Sequence, residues 1–466
     1  MHWLNRNSRL FIVSIFFLVG IFFIGFFLSR DQEFYLLSSY FICFCCYLMA
    51  LYYLLIKQVN LRFSSVIIFA VFLRIALFFN YPNLSDDFFR FSWDGQICLS
   101  GVNPYKYLPE NFHFSNLDIE HYANSNLKSS SIEFFSSGMN SKKYFSVYPP
   151  IAQLLFLFCS YISGLSLFAN VELLRIVFLM IEMLGWIYMV KLLAHFNLDK
   201  RLSFIYILNP LVIFELSGNL HLEGVALSFL IISLYFLYTQ RTILSALFFS
   251  FSVGVKLLPL VLLPILFNHM DFKKFIHFSS VVMISCAVMF LPFLGASLST
   301  TFLESILLYF NSFEFNGGLY TLFRAIGFYF SGYNQISFIG KLMSLCFVAF
   351  MAFLSFSKKS FISELSLPKK ISLGFLVYLL LSSVVHPWYI IYLIGLAVFS
   401  GYIFPIAWSL VIFLSYFSYR EINAVDESTF LIAVQYIVLL TFTIGDLKFK
   451  WADHFFPKGE NQELLV

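Results

Sequence analysis

Charged residues are scarce in this chain. Only 12% of its 466 residues are Asp, Glu, Lys or Arg, whereas 60% are hydrophobic and 21% aromatic. A soluble domain carries about 25% charged residues. The shortage of charge excludes an ordinary soluble protein and indicates an integral membrane protein.

Several sequence signals of common enzyme classes are also missing. The chain has no P-loop, dinucleotide-binding fingerprint, zinc-ligand spacing or nucleophile elbow. Of its seven cysteines, only Cys98 falls in a long polar loop, so the sequence predicts no disulfide framework there.

Apolar runs repeat along nearly the whole chain. Each spanning helix needs about 20 apolar residues, and about 12–14 such runs can be placed. We therefore predict an all-α fold, a polytopic transmembrane helix bundle with short juxtamembrane helices in a loop at its outer face.

Positive residues in short loops indicate which side of the membrane each loop faces. If run 149–168 crosses fully, Lys200 and Arg201 emerge outside and the later basic clusters tend to invert. If that run is re-entrant, as its start at Tyr148-Pro149-Pro150 and its Gly164 allow, nearly all basic clusters face the cytoplasm. We adopt the re-entrant interpretation, which places both termini inside.

The chain divides by composition into four parts, with one sizeable polar segment at the outer face. Loops of that length are usually functional. The predicted parts are two N-terminal transmembrane helices in 1–63, a membrane core in 64–400 that includes the outer loop 81–148, C-terminal transmembrane helices in 401–445, and a cytoplasmic tail in 446–466.

The outer loop opens with closely spaced acids. Ser85 at a possible N-cap, followed by Asp86 and Asp87, predicts the start of a short surface helix. On that helix Asp87 and Asp94 would share a face, and Arg90 would reach Asp86 or Asp94 at four-residue spacing. One carboxylate could accept a proton from a hydroxyl or hold a divalent cation. A structural interpretation, in which the acids cap the helix and pair with Arg90, stays open.

Other ionisable residues interrupt apolar runs and would collect at the same face. His221 and Glu223 lie in a turn and could orient a substrate, or could simply be wetted at a helix end. Lys256 lies at a break between two short runs, where a cation would suit a phosphate, although snorkelling would also explain it. His386 opens a short helix and is a further candidate contact.

Two arginines lie within or beside predicted spans. An arginine in a spanning helix usually faces the bundle interior. Arg74 and Arg175 are therefore candidates to bind an anionic head group, with snorkelling as the alternative.

Taken in order, the polar motifs resemble a known superfamily. The motifs are Asp86-Asp87 through Trp93-Asp94-Gly95, Gly101-Val102-Asn103-Pro104-Tyr105, Tyr148-Pro149-Pro150, Asn209-Pro210, Gly218-Asn219 with His221 and Glu223, Lys256 with Pro259, and His386-Pro387-Trp388. Across about residues 64 to 400, this set is similar to the polytopic glycosyltransferases of the GT-C superfamily. The closest likeness is to bacterial polyprenyl-phosphate-sugar-dependent mannosyltransferase-like proteins, and a more distant one is to the catalytic subunit of the first GPI mannosyltransferase.

The resemblance implies a membrane-embedded enzyme with an essential acid in an outer loop. Its donor would be a polyprenyl-phosphate-linked sugar, its acceptor a glycolipid or glycan, and its location the bacterial cytoplasmic membrane with the active site facing outward. Asp86 or Asp87 matches the acid. The sequence departs from the pattern because two helices precede the one leading into the loop, and because the acids are adjacent instead of separated by one residue. Which acid acts, and whether Mg²⁺ or Mn²⁺ is needed, stays open.

These observations lead to a hypothesis of inverting sugar transfer, and two other functions are weighed against it. Asp86 or Asp87 would be the base, Lys256, Arg175 or Arg74 would stabilise the leaving phosphate, and the other candidates would position sugar or acceptor. A transporter or flippase of a lipid-linked saccharide is the alternative, but it would use a midplane site, commonly between internal repeats. A polymerase or ligase of lipid-linked glycans would differ in acceptor.

Overall fold

The computed structural model describes residues 2–112, 135, 138–295, 301–302, 304–305, 313–419 and 426–451. Nineteen α-helices lie within these residues, and the same residues contain no strand, only isolated bridges of Phe315 and Asn316 with Val384. In chain order the helices are α1 (His2–Phe27), α2 (Glu33–Leu51), α3 (Phe63–Ile75), α4 (Asp87–Leu99), α5 (Pro150–Ser163), α6 (Leu167–His195), α7 (Phe204–Ile207), α8 (Pro210–Val212), α9 (Glu223–Tyr238), α10 (Thr242–Val255), α11 (Leu263–His269), α12 (Phe272–Phe290), α13 (Gly318–Ser331), α14 (Ile336–Phe356), α15 (Ser360–Ser363), α16 (Leu367–Leu380), α17 (Ile391–Ser400), α18 (Phe404–Val411) and α19 (Thr429–Phe449).

The predicted all-α polytopic class is confirmed. In the part of the chain that the structure describes, six apolar helices of 21 to 29 residues are long enough to cross a bilayer: α1, α2 with the turn that extends it, α6, α12, α14 and α19. A bent pair of helices passes the same test, and seven further apolar helices have 10 to 17 residues. The total of about 12–14 spans therefore stays a prediction.

The acidic segment forms a helix that packs on the apolar segment after the loop. Helix α4 contacts α5 closely because it presents a glycine there: a Cβ on Gly95 would lie 2.4 Å from the backbone oxygen of Phe156. Helix α5 has 14 residues and is therefore about 21 Å long, less than the bilayer core of about 30 Å. This length favours the re-entrant interpretation of 149–168, which stays a prediction.

The apolar segment 200–218 is broken in its middle. Segments Lys200–Ile207 and Pro210–Gly218 meet at 55°, and the Asn209 side chain accepts a hydrogen bond from Leu211 N after the break. The second segment ends in a π-helical turn, Ile213–Gly218. Beyond it, Leu220 takes a left-handed conformation with φ of 64°, and the backbone N–H of His221 donates to the carbonyl of Glu215 at 2.8 Å. This sharp reversal turns the His221 side chain back toward Glu215.

A buried ion pair joins α3 to α6. Arg74 donates to both carboxylate oxygens of Glu182 at 2.6 Å, and it also donates to the carbonyls of Ala70 and Ile207 at 2.9 Å. Both charged side chains are fully buried. Since the carboxylate and two carbonyls surround the guanidinium, Arg74 acts as a link between helices.

This pair generates a stability prediction. Arg74→Met should destabilise the protein by about 3–5 kcal/mol because it leaves the Glu182 carboxylate buried without its counter-charge. The double variant Arg74→Met/Glu182→Leu should recover much of the loss, since it removes both charges. Thermal unfolding of the purified protein in detergent measures both effects, and a single variant that melts like wild type would contradict the assignment.

Candidate functional site

Asp87 lies at the start of α4, where the helix dipole favours a carboxylate. Its side chain is 28% exposed, and its Oδ2 lies 3.4 Å from the Tyr148 hydroxyl and 3.8 Å from Nε2 of His221. Burial raises the pKa of the Asp87 carboxyl above its ordinary value, although His221 and Lys256 act in the opposite direction. Asp87 is thus a partly desolvated carboxylate at an accessible surface, which makes it a better proton acceptor than an ordinary aspartate.

A buried carboxylate holds the His221 ring at Nδ1, the nitrogen that faces away from Asp87. Its Nδ1 lies 2.8 Å from Oε2 of Glu215, and Glu215 also accepts from the Tyr416 hydroxyl at 2.8 Å and from Asn219 Nδ2 at 3.0 Å. Because the carboxylate can only accept, Nδ1 carries the proton and Nε2 faces Asp87. Within the described residues, Nε2 is buried and has no hydrogen-bond partner.

Aromatic rings form one wall of the site. The His221 ring stacks on Trp388 with 3.6 Å between centroids, and Trp388 stacks on His386 at 4.3 Å. Burial, together with His221 and Lys256, lowers the pKa of His386 well below its ordinary value, so the ring is neutral at pH 7. Trp388 is half-buried and therefore offers part of a flat apolar surface.

A cation lies at the mouth of the site. Lys256 forms an ion pair with Glu223, and its Nζ lies 4.6 Å from the centre of the Tyr389 ring. The Lys256 side chain is 33% exposed, whereas Glu223 is buried. The ammonium group can therefore turn toward an anion while its stem stays in place.

The adjacent acid, Asp86, has a different partner. Its Oδ2 accepts from Arg30 at 2.6 Å, and the Arg30 guanidinium lies 5.5 Å from the centre of the Tyr419 ring. The predicted Asp86–Arg90 contact is absent among the described hydrogen bonds and ion pairs. Asp86 instead anchors the start of α4 to the turn between α1 and α2.

Arg90 and Asp94 form a clamp inside α4, as their four-residue spacing predicts. Arg90 donates to Asp94 at 2.8 Å and to the carbonyl of Tyr144 at 2.9 Å. Asp94 accepts from Ser146 at 2.5 Å and from Gln153 at 2.9 Å. Since Asp94 is fully buried with these partners, it does not share the surface of Asp87. The clamp fixes the return of the outer loop beside Tyr148.

The two remaining arginine candidates have protein partners. Arg74 is enclosed by Glu182, as described above. Arg175 binds Glu172 at 2.6 Å and the carbonyl of Ser217 at 2.9 Å. Among the described contacts neither reaches Asp87 or His221, so a substrate role for either stays a prediction that the structure does not support.

The acids of this region do not assemble a metal site by themselves. Among the described residues, no three His, Cys, Asp or Glu side chains converge with the spacing of metal ligands. Asp86, Glu215 and Glu223 are each engaged by Arg30, His221 and Lys256 respectively. Asp87 could share a Mg²⁺ or Mn²⁺ with a substrate phosphate, but the other carboxylates do not fit such a role.

The structure thus brings together Asp87, His221, Glu223, Lys256 and His386 from among the predicted site residues. The sequence interpretation missed Glu215, which lies inside an apolar run. An ionisable residue within such a run is itself a signal of function, and that signal was present. The hydroxyl of Tyr148 and the indole of Trp388 were also missed as site groups, although both residues belong to the motifs that carry the resemblance.

The structure is thus that of a helical membrane protein that carries a cluster of polar, partly desolvated side chains. Residues 23–270 match the model of a family described as alpha-(1->6)-mannopyranosyltransferase, N-terminal domain. Because this match covers more than half of the chain, the chain belongs to that family, and it is a glycosyltransferase. Comparisons with curated proteins and with solved structures give no match. The matched range includes Asp87, Glu215, His221 and Lys256, whereas His386 lies outside it.

The clamp of α4 generates a second prediction. Arg90→Met should release the backbone of 141–146, because it removes the donor that holds the carbonyls of Ser141 and Tyr144. Trypsin should then cut faster after Lys142 and Lys143. Limited proteolysis with mass spectrometry measures this, and Arg62→Met, an exposed arginine, is the control. Unchanged cutting in Arg90→Met would contradict the clamp.

Proposed function

We propose that this protein transfers mannose from a polyprenyl-phosphate donor to a glycolipid or glycan acceptor at the outer face of a bacterial cytoplasmic membrane. The observation that carries the proposal is the partly exposed Asp87 carboxylate facing His221, with Lys256 at the mouth of the same site. A base and a cation are what glycosyl transfer from a phosphate requires.

Asp87 is the base in this proposal. It takes the proton of the acceptor hydroxyl as that oxygen attacks the anomeric carbon, and the bond from this carbon to the phosphate oxygen breaks. The proposal prefers Asp87 to Asp86 because the Asp86 carboxylate is paired with Arg30. Attack from the face opposite the phosphate inverts the anomeric carbon. An α-linked product, as the family description implies, would then require a β-linked donor.

Lys256 stabilises the leaving phosphate in this proposal. Developing negative charge in a site with little water is stabilised strongly by a preorganised cation. The accessible ammonium group can contact the phosphate while it stays paired with the buried Glu223, because it has three N–H donors. Trp388 supplies a flat apolar surface beside the sugar.

The base assignment predicts opposite results for the two adjacent acids. Asp87→Asn should lower transfer of labelled mannose from β-linked polyprenyl-phosphate-mannose to membrane glycolipid by about 10²–10⁴-fold, because the site loses its proton acceptor. Asp86→Asn should keep most of the activity, since it alters only the contact with Arg30. The assay uses purified protein in nanodiscs, and full activity of Asp87→Asn would refute the assignment.

The phosphate assignment predicts a loss of donor recognition. Lys256→Met should lower kcat/KM for the donor by about 10²-fold, the effect of losing a hydrogen bond to a charged group. Lys256→Arg should retain more activity because it keeps the charge, and Lys358→Met, an exposed lysine, is the control. Equal values for Lys256→Met and wild type would contradict the role.

A further inference from the structure

Nε2 of His221 is a buried polar atom that faces the proposed base and has no use in the mechanism above. It lies 3.8 Å from Asp87 Oδ2, beyond hydrogen-bond distance, and it has no other partner among the described residues. A shift of about 1 Å would join the two atoms in a hydrogen bond. Burying an unpaired imidazole nitrogen is costly, so this position calls for an explanation.

On the other side of the ring, a carboxylate can stabilise a positive charge on the imidazole. Glu215 is fully buried, lies 2.8 Å from Nδ1, and is itself held by Tyr416 and Asn219. A carboxylate behind an imidazole fixes the ring and its tautomer, and stabilises the imidazolium that forms when Nε2 takes a proton. The stack on Trp388 prevents the ring from tilting away from Asp87.

We propose that the proton removed from the acceptor hydroxyl passes from Asp87 Oδ2 to Nε2 of His221, with Glu215 as the residue that positions and stabilises the imidazolium. The inference rests on the proposed role of Asp87 as the base. The acceptor O–H bond breaks, the new O–C bond forms, and the bond between carbon and phosphate breaks. The proton rests on His221 until the product leaves, and is then lost to water.

The chemistry of the two groups gives a reason for this relay. An ordinary aspartate is a weak base, whereas imidazole titrates near pH 6.5. A base works best when its affinity for protons matches the working pH. Pairing Asp87 with His221 therefore gives a small carboxylate that reaches the hydroxyl and an imidazole that retains the proton.

Several charged and titratable groups face His221 and can influence its protonation. In the described residues they are Asp87 and Tyr148 from the outer loop, Glu215 with Tyr416 behind the ring, the Glu223–Lys256 pair, and His386 across Trp388. Lys256 and Glu223 compensate each other, so Asp87 and Glu215 are the charges that bear most directly on the ring.

The experiment measures kcat and donor KM of the full-length protein in nanodiscs across pH, for wild type, Glu215→Gln and His221→Gln. Wild-type kcat should fall as the pH drops, because a protonated Asp87–His221 pair cannot accept the proton. Glu215→Gln should lower kcat by about 10²-fold with little change in KM, and should move this fall to lower pH since the imidazolium loses its counter-charge. In His221→Gln the fall should lie lower still, at the ionisation of Asp87, yet above that of an ordinary aspartate.

Matched controls separate the relay from a purely structural role. His277→Gln and Glu364→Gln change exposed residues of the same types and should leave the pH profile unchanged. Tyr416→Phe removes one donor to Glu215 and should shift the profile less than Glu215→Gln. A Glu215→Gln protein that loses activity but keeps the wild-type pH profile would overturn the relay, as would full kcat in His221→Gln. Full activity of Asp87→Asn would instead overturn the proposed function.

Discussion

An ionised side chain among apolar helices is stable only when a counter-charge or several hydrogen bonds surround it. This constraint separates the polar residues of this protein into two groups. Arg74 with Glu182, and Arg90 with Asp94, are closed pairs whose charges face each other in the interior. Asp87 and Lys256 retain exposure. These two partly exposed charges lie at the same site, where a substrate can complete their interactions.

The irregular backbone between α7 and α9 positions residues of the same site. The segment after α7 breaks at Asn209-Pro210, continues through a π-helical turn, and reverses at the left-handed Leu220. Backbone irregularity at membrane depth is tolerated where protein groups satisfy the freed amides, and here the carbonyl of Glu215 accepts from His221 N. The same short stretch therefore supplies both partners of the Glu215–His221 pair.

Local features of the site could be predicted from the sequence, and distant pairings could not. Acids before a helical run and the spacing of Arg90 and Asp94 follow from helix geometry, and both predictions match the structure. Arg74 and Glu182 lie far apart in the chain, so nothing in their spacing pairs them. From the sequence alone, an arginine in a spanning helix could bind a ligand or could join two helices, and only its partner in the structure distinguishes the two roles. The resemblance could be seen in the sequence because the order of the motifs along the chain does not depend on knowing which residues they contact.

The two departures from the expected motif pattern meet at one contact, the ion pair between Arg30 and Asp86. Asp86 is the N-cap residue of α4 and Asp87 is its first helical residue, and the two adjacent carboxylates have different partners. Asp87 faces His221, and Asp86 faces Arg30. Arg30 belongs to the turn between α1 and α2, the additional N-terminal helices. The N-terminal helices thus supply the cation that engages Asp86, which leaves Asp87 as the adjacent acid that faces His221.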